Sequence, residues 1–501
     1  MVELAMKTVI KVALIALLWI TLINPGNLPP DTDVRLQMSH ALWTKTEEIP
    51  SSSSQGTLGV QGKRYYFYDL GQSILMLPAD WVGTKLHSFF PQIKPYLLRE
   101  LAVSLLVVIP LNVLVVLSCY WLLRLFDFHE NIAASASLVF LLGTTALHYS
   151  QVFQQNNPVL LCVVLAYACV LAYLKYDKIY YILGSGLAIG FAIFIRSTAI
   201  IHALTVFGFL IGAIIYKNYK FKRIYKTVLF WMSGVIPFVI LSRLFNYFRF
   251  GSFSKSGAEI TFEQARESSY AQGIDISPNY PFIHPPYIGI FGVLFSPSKS
   301  IFIYDPLLLP CLILGLSLRK KLSPYLTIYL ISAIFGLIFH IILTSKLDFW
   351  HGDGAWAARY HVTSVHLILI PLIALLIAEF SLVNRLKKWL IVSLIILSIL
   401  VQIPSLVFDP SVNSGWVNFA KPESFLRFRL AERVASIGCL VSSSPSPNCL
   451  KNELSGRVNS WTRKFNRIQG FLQIIWILLF IVALISTFVF LWFSMGLNSL
   501  L

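Results

Sequence analysis

The chain has 501 residues, 56% of them hydrophobic and 13% charged, where an ordinary soluble domain carries about 25% charged residues. That balance excludes a soluble globular enzyme and a disordered chain. The formal net charge of +17 does not point to nucleic acid, because no basic domain with a recognition motif is present. It reflects Lys and Arg placed beside helix ends, where they set membrane topology.

About twelve apolar runs reach the length of a membrane span. Their centres lie near Ala13, Val113, Leu141, Val164, Ile189, Gly208, Val235, Leu309, Ala333, Leu369, Ile395 and Phe480. The runs are continuous rather than alternating, which favours helices over a barrel. The fold class read from this pattern is an all-α polytopic membrane protein with interfacial helices in its outer loops. Lys7 and Lys11 precede the first run and no small-residue cleavage pattern follows it, so it reads as an uncleaved anchor. No internal repeat is evident.

With the N-terminus in the cytoplasm, the basic clusters fall in cytoplasmic connections. They are Lys175 and Lys178; Lys217, Lys220, Lys222, Arg223 and Lys226; Arg319, Lys320 and Lys321; and Arg385, Lys387 and Lys388. The reverse orientation puts every cluster outside, so both termini are read as cytoplasmic. Residues 25–98, 247–300, 346–360 and 407–468 then face outward. No P-loop or dinucleotide fingerprint occurs, so the chemistry belongs on the exoplasmic side. The chain divides into a membrane-embedded catalytic region (1–406, with first outer loop 25–98), an exoplasmic helical loop (407–468) and a last spanning helix (469–501). Short cytoplasmic loops lean towards a bacterial plasma membrane.

Cys119, Cys162, Cys169 and Cys311 fall in spanning runs and read as packing residues. Cys439 and Cys449 share the last outer loop and are candidates for an exoplasmic disulfide. In the same loop, Pro422–Val434 is an amphipathic candidate with Phe425, Leu426, Leu430 and Val434 on one side.

Candidate chemistry begins at Asp31 and Asp33, which follow Pro29 and Pro30. Behind them Val34, Met38, Ala41 and Leu42 share one face of a helix lying on the membrane surface. The acids are either simple N-terminal caps or a general base at the outer interface. Spacing does not fix which acid serves. Asp33 is favoured because it projects from the helix start rather than from the preceding turn. Lys63–Pro78 reads as a second interfacial helix with an aromatic belt, bending at Gly71, in which Tyr66 and Tyr68 offer a platform for a lipid chain and a sugar. His148 to Pro158, including Gln155, packs polar side chains against a span, as cavity-lining segments do.

Arg196 ends the fifth run, where a guanidinium needs either an anion or the lipid headgroups. Trp350 to Tyr360 joins two spans on the outer side. It combines His351, Asp353 and Arg359 with Trp350, Trp356 and Tyr360. Arg clamps a phosphate in a bidentate way that Lys does not, and the indoles suit sugar stacking.

These motifs, in this order, resemble the GT-C membrane glycosyltransferases of the protein O-mannosyltransferase and aminoarabinose transferase group. The likeness covers roughly residues 5–405. It rests on Asp31-Thr32-Asp33, on Gly71-Gln72-Ser73 leading to Pro78, on Arg196, and on Asn246 to Gly251. It continues through Leu294 to Pro297 with Tyr304 to Pro306, and through Trp350 to Tyr360. The resemblance implies a GT-C fold and a polyprenyl-phosphate-linked sugar as donor. It also implies transfer to an acceptor hydroxyl of a glycan, lipid or protein, with inversion and an Asp base. Arg196 and Arg359 would then hold the donor phosphate, assisted by His148 or His351.

Relatives often carry a Lys before the Gly-Gln pair, where this chain has Tyr68-Asp69, so that a phosphate contact is absent or supplied by Lys63 or Arg64. Gln154, Gln155 and Asn156 replace an acid or His. No cofactor and no divalent metal are expected, because no second carboxylate cluster accompanies Asp31 and Asp33. A lipid or solute transporter, or a non-catalytic scaffold of envelope assembly, is the alternative. Against transport, the span centres are nearly free of charge and the polar groups gather at outer ends.

Overall fold

Helix α1 (Val2–Ile23) has 22 residues. At 1.5 Å per residue it is about 33 Å long, enough to cross a hydrocarbon core of about 30 Å. The computed structural model describes residues 2–26, 28–50, 52–53, 55–272, 277–352, 354–408, 426–442, 458 and 469–496.

After α1 come α2 (Pro30–Thr44), a hairpin of β1 (Thr57–Leu58) and β2 (Arg64–Tyr65), and α3 (Gly71–Phe89). Helix α4 (Pro95–Val103) runs through a π turn at Ser104–Val108 into α5 (Ile109–Leu125). Then follow α6 (Glu130–Gly143), α7 (Ala146–Gln151), α8 (Asn156–Tyr176), α9 (Tyr180–Ile195), α10 (Ile200–Tyr216) and α11 (Phe221–Phe250). The second half holds α12 (Gly257–Ala271), α13 (Pro286–Phe295), α14 (Ile301–Tyr304), α15 (Leu308–Ser317), α16 (Pro324–Thr344), α17 (Val362–Phe380) and α18 (Arg385–Val407). Helices α19 (Arg429–Val441) and α20 (Gln469–Ser494) complete the described chain.

Among the described residues, nine helices are long and apolar enough to cross a membrane. Three of the twelve expected centres fall on shorter helices: Leu141 in α6 (14 residues), Ile189 in α9 (16 residues) and Leu309 in α15 (10 residues). Each shortening has a local cause. Thr144 and Arg196 take extended backbone at the ends of α6 and α9. The run around Leu309 is cut by Asp305-Pro306, because proline disfavours helix in the residue before it. Helices α8 and α17 form the centre, each 83% buried over its apolar window, while α20 lies at the rim with 11% buried. Trp19 and Trp476 pin α20 to α1 through hydrogen bonds to Thr487 Oγ1 (2.8 Å) and the Leu22 carbonyl (3.0 Å).

Helices α9 and α11 meet glycine to backbone. A Cβ on Gly186 would lie 2.1 Å from the Trp231 carbonyl oxygen, and one on Gly234 would lie 2.6 Å from the Leu187 nitrogen. Small residues of this kind let membrane helices approach closely. Gly186→Val is expected to force the pair apart and destabilise the fold by about 1–3 kcal/mol, read as a lower melting temperature in detergent.

The outer segments depart from three expectations. Helix α2 forms as expected, with Pro30 at its first position and both acids in its first turn, where proline and negative charge are favoured. Its buried side, however, is Thr32, Arg35, Leu36, Met38 and Ser39, and Leu42 is exposed. The helix is docked on α3 rather than lying on lipid, so its inner face can be polar. Lys63–Pro78 is not one helix: Arg64–Tyr65 is a strand, the aromatic residues after it are loop, and helix begins only at Gly71. In the last outer loop Pro422 and Phe425 lie outside the described residues, and the helix starts at Arg429. Leu426 and Val434 are exposed there, and Leu430 packs against Tyr304 and Trp356.

Cys439 is disulfide-bonded. Cys449, its expected partner, lies outside the described residues. Cys119, Cys162, Cys169 and Cys311 are free thiols.

Candidate active site

The start of α2 is anchored in the bundle. Thr32 Oγ1 donates to the Phe153 carbonyl, and Gln72 Nε2 donates to the same oxygen at 2.9 Å. Gly71 must be glycine here, because a Cβ would lie 2.6 Å from the backbone of Phe194 and Ile195. The first turn of α2, the start of α3 and the end of α9 are thereby held together.

Asp31 sits at that junction. Its Oδ1 accepts from the Tyr68 hydroxyl at 3.0 Å, and its Oδ2 pairs with Arg359 Nη1 at 3.0 Å. Arg35, one helical turn on, donates to the Asp31 carbonyl at 2.6 Å and lays its guanidinium over the Tyr68 ring at 3.8 Å. Burial alone would raise the Asp31 pKa. Arg359 and Arg35, with the Tyr68 hydrogen bond, outweigh it and hold the carboxyl below the usual carboxylate value. Burial, followed by the Asp31 charge, pushes the Tyr68 phenol well up, so it remains a donor.

Arg196 and Arg359 lie on the same ring. Their guanidinium carbons are 5.1 and 5.3 Å from the centre of Tyr360. Among the described residues the Arg196 guanidinium has no hydrogen bond and no carboxylate partner, and its pKa is lowered to about 10, first by burial. Its turn is fixed from behind: Asp69 accepts from the Ser197 amide (2.8 Å) and hydroxyl (2.5 Å), and Gln155 Nε2 donates to the Ile195 carbonyl at 2.6 Å. Burial raises the Asp69 pKa despite these bonds.

Asp33 faces elsewhere. Its Oδ2 accepts a long bond from Gln37 Nε2 (3.4 Å), whose Oε1 accepts from the Tyr66 hydroxyl at 3.1 Å. Among the described residues the buried Asp33 Oδ1 has no hydrogen bond of ordinary geometry, and the Tyr96 hydroxyl lies beside the carboxylate. Asp31, Arg196, Arg359, Tyr68, Tyr360 and Gln155 therefore gather in one place, while Asp33 and Tyr66 line another side of α2.

His148 and His351 are buried, and burial first, then nearby cations, lowers both to about 3. Each is a neutral imidazole and adds no positive charge. Trp350 and Trp356 are 1% exposed. Trp350 lies over Gly292, and Trp356 packs against Tyr304 and His148. Neither ring offers an open face for a sugar. Asp353 lies outside the described residues. Lys63 is exposed and Arg64 donates to the Gly56 carbonyl (3.2 Å); Tyr68 and Asp69 instead hold Asp31 and Ser197.

Two buried arginines, Arg35 and Arg249, were not among the candidate site residues. Arg35 had a visible signal, the four-residue helical spacing from Asp31. Arg249 lay within the Asn246 to Gly251 stretch, but nothing there named its partners: it reaches from α11 to Glu48 (3.2 Å) and the Tyr68 carbonyl (3.2 Å). Burial raises the Glu48 pKa, opposed by Arg249.

The fold and site together define a helical membrane protein with a carboxylate and three guanidiniums converging at one end of the bundle. Residues 87–242 match the family model described as dolichyl-phosphate-mannose-protein mannosyltransferase. Over that stretch the chain is similar to this family. Among solved structures, it is similar to ArnT from Cupriavidus metallidurans in the apo state, at 12% identity and TM-score 0.48, over 97% of this chain and 76% of that one. It is also similar to ArnT from Cupriavidus metallidurans bound to undecaprenyl phosphate, at 14% identity and TM-score 0.46, over 97% and 77%. No curated protein matches the chain.

Proposed function

We propose that this protein transfers a sugar from a polyprenyl-phosphate donor to an acceptor hydroxyl on the exoplasmic side. The observation that carries the reading is the half-buried guanidinium of Arg196, without a carboxylate among the described residues, facing the same Tyr360 ring as Arg359. A cation held there calls for an anion, and a lipid phosphate brings one.

The acceptor oxygen attacks the anomeric carbon, and the bond from that carbon to the phosphate oxygen breaks on the opposite side, which inverts the centre. The acceptor proton passes to a carboxylate. The bonding electrons leave on the lipid phosphate, where Arg196 and Arg359 stabilise the developing charge. Asp31 is the better-supported base, because it shares the cation cluster, although the sequence favoured Asp33. In the ligand-free protein Arg359 occupies Asp31 Oδ2. A phosphate that draws Arg359 to itself frees that oxygen to take the proton. The guanidiniums supply the charge that a divalent metal supplies elsewhere.

The topology is a twelve-pass chain with both termini in the cytoplasm. Its support is that two basic connections expected in the cytoplasm meet: Arg223 pairs with Asp177, and Lys217 Nζ donates to the Leu174 carbonyl.

Lipid mass spectrometry of detergent-purified protein tests the reading. Polyprenyl phosphate or its glycosylated form is expected with the wild type and depleted in Arg196→Ala and Arg359→Ala. No polyprenyl lipid in any sample would remove the donor site and turn attention to transport.

A further inference from the structure

The segment from Leu294 to Pro306 stood out in the sequence, yet the scheme above gives it no task. Its centre is Lys299, a fully buried lysine. A buried ammonium is costly unless its charge is solvated by protein groups. Here Nζ donates to the carbonyls of Ala355 (2.7 Å) and Ala357 (3.3 Å). Both belong to the loop that ends in Arg359 and Tyr360.

Other elements grip the same loop by its carbonyls. Arg429 of α19 donates to Ala355 (3.2 Å), Tyr149 of α7 to Trp356 (2.8 Å), and Asn156 of α8 to Arg359 (2.6 Å). Within the gripped stretch Ala357 has φ +59°, a left-handed conformation that a residue with a Cβ rarely adopts. Such a conformation persists where its surroundings over-determine it. The Lys299 segment is itself held at its far end. The Tyr304 ring meets Trp356 edge-on at 4.8 Å, and Asp305 accepts from the Thr145 amide (2.7 Å) and hydroxyl (2.9 Å).

We infer that Lys299 is a positioning residue of the donor site: by fixing the carbonyls of Ala355 and Ala357 it sets the loop so that Arg359 reaches Asp31 and Tyr360. Arg429 assists from α19, which makes the last outer loop part of the site's framework. The inference rests on the donor-site reading above. It differs from a generic packing role because the effect must run through Arg359.

A double-mutant cycle tests it. Undecaprenyl phosphate is titrated against the full chain in nanodiscs for wild type, Lys299→Met, Arg359→Ala and the double variant, with melting temperatures measured alongside. Lys299→Met is expected to weaken binding about tenfold in the wild-type background and by less than about twofold in Arg359→Ala, a coupling of the size that contacting residues show. Equal losses in both backgrounds, or wild-type binding by Lys299→Met, overturn the positioning role alone. Wild-type binding by Arg359→Ala overturns the donor-site reading and this inference with it. If Lys299→Met does not fold, Lys299→Gln replaces it, since its amide serves one of the two carbonyls. A loss of about threefold that vanishes in the Arg359→Ala background supports the role, and a loss that persists there overturns it.

Discussion

Asp31→Asn is expected to stop transfer while leaving the donor lipid bound. Asparagine keeps the size and the oxygen that accepts from Tyr68, but it accepts no proton at neutral pH. Losing a positioned general base costs about 10²–10⁴-fold in rate, so turnover should fall by about three orders of magnitude. Binding should move the other way. The substitution removes the charge that holds Arg359 at 3.0 Å in the ligand-free protein. A phosphate no longer competes for that guanidinium, and the dissociation constant of polyprenyl phosphate should fall or stay level. Asp33→Asn, on the far side of α2, should reduce turnover far less. Single-turnover transfer and equilibrium lipid binding, run on both variants, check the assignment. A dead Asp33→Asn beside an active Asp31→Asn would move the base to Asp33.

Arg359→Ala should damage both steps and leave a distinct pH signature. Removing one donor from a charge-stabilising site costs about 10²–10³-fold in rate, and donor binding should weaken as well. Arg359 is also the largest influence that lowers the Asp31 pKa. In the wild type Asp31 stays ionised below the ordinary aspartate value, about 3.9, so under the proposed scheme the acid limb of kcat/KM should lie under that value. Without Arg359, burial prevails more and the pKa rises. The residual activity of Arg359→Ala should therefore fall off at higher pH than that of the wild type. An unchanged acid limb would separate Arg359 from the base. Arg359→Lys should recover charge but not the two-pronged contact, and so restore only part of the rate.

Much of the architecture was legible because apolar run length is a one-dimensional signal. Nine of the twelve expected centres fall on helices of spanning length among the described residues. The other three fell short where backbone breaks at Thr144, Asp305-Pro306 and Arg196 interrupt the pattern. The two arginines that meet at the Tyr360 ring were legible for a different reason. An arginine at a helix end, such as Arg196, or in a loop between spans, such as Arg359, is unusual in itself.

Facing was harder to read. Two acids two residues apart on a helix point about 200° apart, so the sequence offered both and could not say which met the arginines. Trp350 and Trp356 looked like open platforms because composition says nothing of what covers a ring. Glycine 292 and Tyr304, distant in sequence, decide that. Lys299 was passed over because nothing in the sequence around a lone lysine says what will enclose it. Only the fold shows it wholly enclosed.

The ion pair between Asp31 and Arg359 joins residues 328 positions apart in the chain, and its consequence is kinetic. While the pair is closed, the carboxylate oxygen that would activate a nucleophile is engaged. Under the proposed scheme, water or acceptor arriving first meets no competent base. Substrate addition then follows a compulsory order, lipid before acceptor. In initial-rate experiments the free lipid phosphate released as product should compete with the donor alone. Under that scheme the same latch would protect an activated sugar from wasteful hydrolysis, since only the phosphate whose ester is to be broken would unlock the base.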